Sequence, residues 1–181
     1  MPNIEPLLLK DAFLMTPSRF YDERGYFFET YRQESYLELG LPEFVQDNTS
    51  FSKKGVLRGM HFQSEPGQDK LVTALQGEIY DVIVDMRKDS PTFKKWQGVN
   101  LSQENGKQLF VPKGFAHGFL VLSDTAIVSY KVSSYFNAHT EKGFHFQDQE
   151  INIHWPTITP ILSQKDSQSA SFEEAMCQLL S

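Results

Sequence analysis

One histidine in a strand-like run, followed nine residues later by a lysine, constrains this chain more than any bulk property. His61 stands in Val56-Leu57-Arg58-Gly59-Met60-His61-Phe62-Gln63, and Lys70 is the next inward-reading cation. A second segment, Pro112-Lys113-Gly114-Phe115-Ala116-His117-Gly118-Phe119, sets a Pro–Gly turn ahead of another imidazole. The two segments lie about fifty residues apart with strand-like sequence between them.

Together the two segments resemble the paired boxes of a cupin barrel, and the fold class expected is all-β. It is a cupin-type jelly-roll sandwich or barrel with a few short helices. A metal-binding cupin strand offers two His one residue apart and then a Glu. Here the second position is Gln63 and the next charge is Lys70. Gln is a poor ligand for zinc or iron, and a protonated Lys repels a divalent cation. The expected pocket holds an anion and uses one imidazole for proton chemistry, with no metal and no cofactor.

Short apolar runs bounded by Gly, Pro, Asn and Asp support the all-β reading. The clearest are Tyr26 to Tyr31, Leu71 to Leu75, Ile79 to Met86, Gln108 to Val111, Phe119 to Leu122 and Ala126 to Val132. In the third, Tyr80, Val82, Val84 and Met86 share a face by the two-residue period. Arg32 to Leu39 reads as a helix closed by Gly40 and Pro42. Ser171 and Glu174 form a capping box for a terminal helix over Ala175 to Leu180. With no repeat, low-complexity tract or linker, one domain spanning 1–181 is expected.

Lys plus Arg number 17 against 23 Asp plus Glu, a net charge of −6, which argues against a nucleic-acid partner. Cys177 is the sole cysteine, so no intrachain disulfide forms and a reducing compartment is expected. The first ten residues lack a basic start and a long apolar run, so neither a secretion signal nor a membrane span is expected, and the protein reads as cytoplasmic.

Several polar residues stand where strands expect apolar ones. Tyr130 shares the interior-reading face of Val128 and Val132; it is either a core tyrosine bonded to backbone or a proton donor to a carbanion or enolate. Asp166 is either a turn residue or the carboxylate that orients His61. Arg24, Arg58 and Lys70 are singly ordinary surface cations, but gathered at one barrel mouth they would hold a phosphate or pyrophosphate. Glu29, between Phe27 and Tyr31 on one expected strand face, needs a partner. Gln46 and Asn48 project to one side. Arg58 and His61 have opposite parity, and a bulge at Gly59 would bring them to the same side.

These blocks together resemble the dTDP-4-dehydrorhamnose 3,5-epimerase family. The resemblance runs from Asp22-Glu23-Arg24-Gly25 through Val45-Gln46-Asp47-Asn48, the His61 and His117 segments, Tyr130-Lys131 and Leu162-Ser163-Gln164-Lys165-Asp166. It implies a metal-free homodimeric isomerase of dTDP-linked 4-dehydro-6-deoxyglucose, placed in dTDP-L-rhamnose biosynthesis. It further implies His61 as base supported by Asp166, Tyr130 as acid, and Lys70 beside the keto oxygen. Arg24, Glu29, Gln46, Asp47, Asn48, Arg58, Lys70, His117, Glu141 and Lys165 resemble residues contacting nucleotide, pyrophosphate or sugar. Where the family usually shows two adjacent tyrosines, the second stacking on thymine, this chain has Tyr135-Phe136. Phe136 keeps a stacking face without the phenol. Gly143 to Asp148 also lacks the tryptophan and asparagine often seen there.

Three other readings stay open at this stage. One is a single-site 3- or 5-epimerase of another deoxysugar pathway, one a metal-dependent cupin oxygenase or isomerase, and one a nucleotide-sugar binder without turnover.

Overall fold

The structure, a computed structural model, describes residues 2–178. Its strands in chain order are β1 (Asn3–Pro6), β2 (Phe13–Thr16), β3 (Phe20–Asp22), β4 (Gly25–Phe27), β5 (Gln46–Lys53), β6 (Leu57–Gln63) and β7 (Lys70–Gln76). They continue with β8 (Glu78–Asp85), β9 (Trp96–Ser102), β10 (Gln108–Val111), β11 (Phe115–Val121), β12 (Thr125–Val132) and β13 (Glu141–Gly143). Three short helices join them: α1 (Gln33–Glu38), α2 (Gln164–Ser167) and α3 (Phe172–Gln178). Among the described residues, no helix is long and apolar enough to cross a membrane.

A six-stranded antiparallel sheet, ordered β1-β2-β10-β7-β12-β5, packs against a five-stranded one, ordered β13-β6-β11-β8-β9. This is the cupin-type sandwich expected. Alternation explains how the sheets meet. On β8, Ile79 and Ile83 join Val72, Leu109, Val111, Ala126 and Val128 in the core between the sheets. The opposite face of β8, with Val82, Val84 and Met86, is buried too, beneath Phe144, Ile151, Ile153, Phe172 and Met176 of the C-terminal region. Outside the six-stranded sheet, Tyr36 of α1 and Leu41 cover Met15, Leu71 and Phe110. Both sheets therefore have two apolar faces.

The helix expected at 32–39 is α1, one residue shorter at each end, closed by Gly40 in a left-handed conformation (φ 82°). The capping box also forms: Ser171 Oγ accepts from the Glu174 N–H, and the Glu174 carboxylate accepts from the Ser171 N–H. Leu179 and Leu180, at the end of the expected terminal helix, lie outside the described residues.

The strand expected over Tyr26 to Tyr31 is corrected. β4 ends at Phe27, because it pairs only with β3 and has no further strand to extend against. Glu29 therefore sits in the connection to α1, exposed, with Arg32 Nη2 2.5 Å from its carboxylate. β11 also begins earlier than expected, at Phe115, directly after Gly114 completes its turn at φ 82°.

Candidate active site

Between the sheets lies a cavity of about 610 Å³, lined by polar side chains from both walls. Gln46, Asn48 and Ser50 come from β5, Lys70 from β7 and Tyr130 from β12 on the six-stranded side. Arg58, His61 and Gln63 come from β6, His117 from β11 and Glu141 from β13 on the other. Lys165 and Asp166 enter from α2, and Phe136 stands at the rim.

The opposite parity of Arg58 and His61 is resolved by a bulge. His117 pairs with His61 and Phe119 with Arg58, so β6 spends one more residue than β11 over the same span. Gly59 occupies this bulge at φ 125°, and a Cβ there would lie 2.6 Å from Gly118 Cα. Only glycine accepts that conformation and that approach. The irregularity turns both Arg58 and His61 into the cavity.

His61 and Asp166 meet, though 105 residues separate them in the chain: Nε2 lies 2.6 Å from Asp166 Oδ1. A local device carries Asp166 there. Val56 and Ile161 form a parallel bridge, with hydrogen bonds between Leu57 N–H and Ile161 C=O and between Ile161 N–H and Gly55 C=O. Ser163 then caps α2, its Oγ accepting from the Asp166 N–H at 3.0 Å. Burial raises the Asp166 carboxyl, but hydrogen bonds from His61, Ser163 and the Gly59 backbone outweigh it and leave it below the usual range. As a carboxylate it only accepts, so Nε2 carries the ring proton and Nδ1 carries the basic lone pair.

Tyr130 faces this imidazole from the opposing sheet. Its hydroxyl makes no hydrogen bond among the described residues, unlike a core tyrosine bonded to backbone. Burial raises its pKa, with Arg58 opposing, so the phenol keeps its proton at neutral pH. Lys70 is 8 % exposed, and burial pushes its ammonium down to about 8 while Asp81 and Glu141 restrain the fall.

Other expected binding residues arrange themselves unequally. Arg58 donates from Nε to Ser52 Oγ at 3.0 Å. Gln46 Nε2 donates to Asn48 Oδ1 at 2.8 Å, and its Oε1 accepts from the Phe136 N–H at 3.2 Å. Lys165 and Glu141 form an ion pair at the cavity edge. Three of the expected binding residues do not line the cavity of this chain. Asp47 alternates to the far face of β5, pairing with Lys131 at 2.8 Å. Arg24 sits on the exposed β3–β4 hairpin, bound to Asp22 at 2.5 Å. Glu29 is held by Arg32.

Two polar residues, one lining the cavity and one beneath it, were not expected as site residues. Gln63 follows His61 by two residues and also lines the cavity; its Oε1 accepts from Thr140 Oγ1 at 2.5 Å. Asp81, fully buried on β8, accepts from His117 Nε2 at 2.8 Å. Its signal was a lone carboxylate inside Ile79-Tyr80-Asp81-Val82-Ile83. Among the described residues, no three His, Cys, Asp or Glu side chains converge as a metal site. Both imidazoles already give Nε2 to carboxylates, and Lys70 stands on the opposing wall.

The sequence model of the dTDP-4-dehydrorhamnose 3,5-epimerase family matches residues 6–174. A protein of that name from Shigella flexneri is 49% identical over 176 residues, covering 96% of this chain and 97% of the relative. The crystal structure of a dTDP-6-deoxy-D-glucose-3,5-epimerase from Legionella pneumophila, in complex with dTDP-4-keto-L-rhamnose, superposes with a TM-score of 0.95 at 43% identity, covering 99% of this chain and 97% of that one. A dTDP-4-dehydrorhamnose 3-epimerase from Streptomyces niveus is 38% identical, over 96% of this chain and 85% of its own length. On the match along residues 6–174 and these identities, the chain belongs to the dTDP-4-dehydrorhamnose 3,5-epimerase family.

Proposed function

We propose that this chain inverts carbons 3 and 5 of a dTDP-linked 4-dehydro-6-deoxyglucose, as the isomerase step of dTDP-L-rhamnose formation in the cytoplasm. The observation that carries the reading is the placement of His61 and Tyr130 on opposing walls of one cavity, with Lys70 beside them.

The chemistry follows from the ketone. The 4-keto group acidifies the C–H bonds at carbons 3 and 5. His61 Nδ1 takes a proton, and the bonding electrons move into an enolate whose oxygen draws stabilisation from the Lys70 cation. Tyr130 then delivers its hydroxyl proton to the other face of the same carbon. Inversion results because the departing and arriving protons use opposite sides. Solvent reprotonates the phenolate and receives the proton from His61, so the enzyme returns to its starting state.

The nucleotide reading rests on Arg58 and Lys165 as cations at the mouth and on Phe136 as a flat rim surface for the base. Arg24 and Glu29, outside the cavity of their own chain, serve this reading only if a second copy brings them in. The β3–β4 hairpin that carries Arg24 exposes Phe20, Tyr21, Tyr26 and Phe27, an apolar face suited to a homodimer contact.

Incubation of the purified chain with dTDP-4-dehydro-6-deoxyglucose tests the reading. Proton couplings of the product should report L-configured 4-dehydrorhamnose; unchanged substrate contradicts it. The 3-epimerase among the relatives supports a second reading, in which the product is inverted at carbon 3 alone.

A further inference from the structure

Beneath the cavity floor lies a carboxylate that the chemistry above does not use. Asp81 is 0 % exposed on β8; His117 Nε2 donates to its Oδ1 at 2.8 Å, and its Oδ2 has no hydrogen-bond partner among the described residues. A buried carboxylate with one unbonded oxygen is costly unless a cation compensates it. The alternation of β8 points Asp81 inward with Ile79 and Ile83, toward the same inter-sheet space that Lys70 enters with Val72 and Ala74 of β7. Lys70 has no salt-bridge partner of its own among the described residues, yet it is nearly enclosed.

Resting on the epimerase reading, we propose that Asp81 is a positioning residue: its carboxylate orients the His117 ring and is the counter-charge that keeps Lys70 protonated during turnover. The surroundings of Lys70 leave Asp81 this role. Glu141 of β13 also acts on Lys70, but it is engaged with Lys165. His61 and Arg58 of β6, His117 of β11 and Tyr130 of β12 line the same cavity, and none of them brings a negative charge at neutral pH; Asp166 of α2, a further carboxylate of that cavity, is bonded to His61. β10, the other sheet neighbour of Lys70, brings no titratable side chain. Asp69, beside it in sequence, is bonded to Ser133 Oγ and the Lys113 N–H. Without Asp81, the ammonium keeps the burial that drives its proton off and loses a principal charge that holds it on.

Asp81→Asn separates charge from shape, because the amide oxygen still accepts from His117. The alkaline limb of kcat against pH should move down by about one pH unit, the lower end of what one neighbouring charge does to a titrating group. That is roughly a fivefold loss near pH 8 and less than twofold near pH 6.5. In a Lys70→Arg background the same change should move no alkaline limb, since a guanidinium stays charged. The wild-type chain supplies a check independent of any variant. Its Asp81 carboxyl carbon, followed by NMR, should be that of a carboxylate from pH 6 to pH 9 and should register the titration of Lys70. An unmoved limb in folded Asp81→Asn, or a protonated Asp81 in the wild type, overturns the proposal while epimerisation by the wild-type chain stands. Failure of the wild-type chain to epimerise would instead strike the reading beneath it.

Discussion

His61 and His117 face each other in register across β6 and β11, and each gives its Nε2 to a buried carboxylate, Asp166 at 2.6 Å and Asp81 at 2.8 Å. The two pairs are not equivalent. Asp166 arrives from α2 and leaves His61 at 27% side-chain exposure, open to the cavity, whereas Asp81 lies under the floor and holds His117 at 8%. Base chemistry therefore falls to His61, and charge placement to the pair beneath.

His61→Ala should remove the only group in position to take the substrate proton from the β6 wall. Tyr130→Phe should remove the donor from the β12 wall while keeping the ring. Each change should lower kcat on the order of 10²–10⁴-fold with the fold intact by circular dichroism. A Tyr130→Phe variant that inverts carbon 5 at the wild-type rate would dismiss the phenol as donor.

Asp166→Asn keeps a hydrogen-bond acceptor for Nε2 but loses the charge that fixes the tautomer. A fall in kcat of about 10- to 100-fold with a nearly constant KM is expected. Because the folded carboxyl lies below its unfolded value of 3.8, it stabilises the fold fully above that value. That contribution is lost as pH falls through the lower folded value, and Asp166→Asn should flatten acid unfolding in this window.

Lys70 predicts two opposite pH responses. Turnover should fall through an alkaline limb at about 8, as the cation beside the keto oxygen is lost. Stability should change the other way. The unfolded chain holds this proton up to about 10.5 and the folded chain only to about 8, so the unfolded state binds more protons between them. Stability contributed by this group rises with pH across that interval. Lys70→Met should remove both responses, measured by pH-dependent turnover and by denaturant unfolding.

Gly59→Ala should destabilise the fold by about 3 kcal/mol, since a side chain at φ 125° would meet Gly118 Cα at 2.6 Å. Relief of that clash flattens the bulge and separates Arg58 from His61. Loss of both stability and affinity for dTDP is expected, read by thermal unfolding and by calorimetry.

Much of the site was legible because strand parity is a strong rule. Tyr130 with Val128 and Val132, and Gln46 with Asn48, all point where alternation sends them. The same rule places Asp47, between Gln46 and Asn48, on the opposite face; its expected contact came from the resemblance alone, and the side chain is turned away. Glu29 does not lie on the strand face expected for it, because alternation presumes a strand and β4 stops at Phe27 for want of a neighbour. Asp166 could be named but not placed, because its meeting with His61 depends on the Val56–Ile161 bridge, a contact between segments far apart in the chain. Asp81 and Gln63 were readable, one as a charge inside an apolar strand and one as the second residue after His61. Their roles depend on partners, His117 and Thr140, that only the folded chain reveals.

Proton exchange with solvent probes the two-walled geometry most directly. The chain incubated with dTDP-4-dehydro-6-deoxyglucose in deuterium oxide should yield product carrying one deuterium at carbon 3 and one at carbon 5, both on inverted centres, by NMR and mass spectrometry. Product without solvent deuterium, or deuterium incorporated with configuration retained at both carbons, would contradict a base and an acid working from opposite sides.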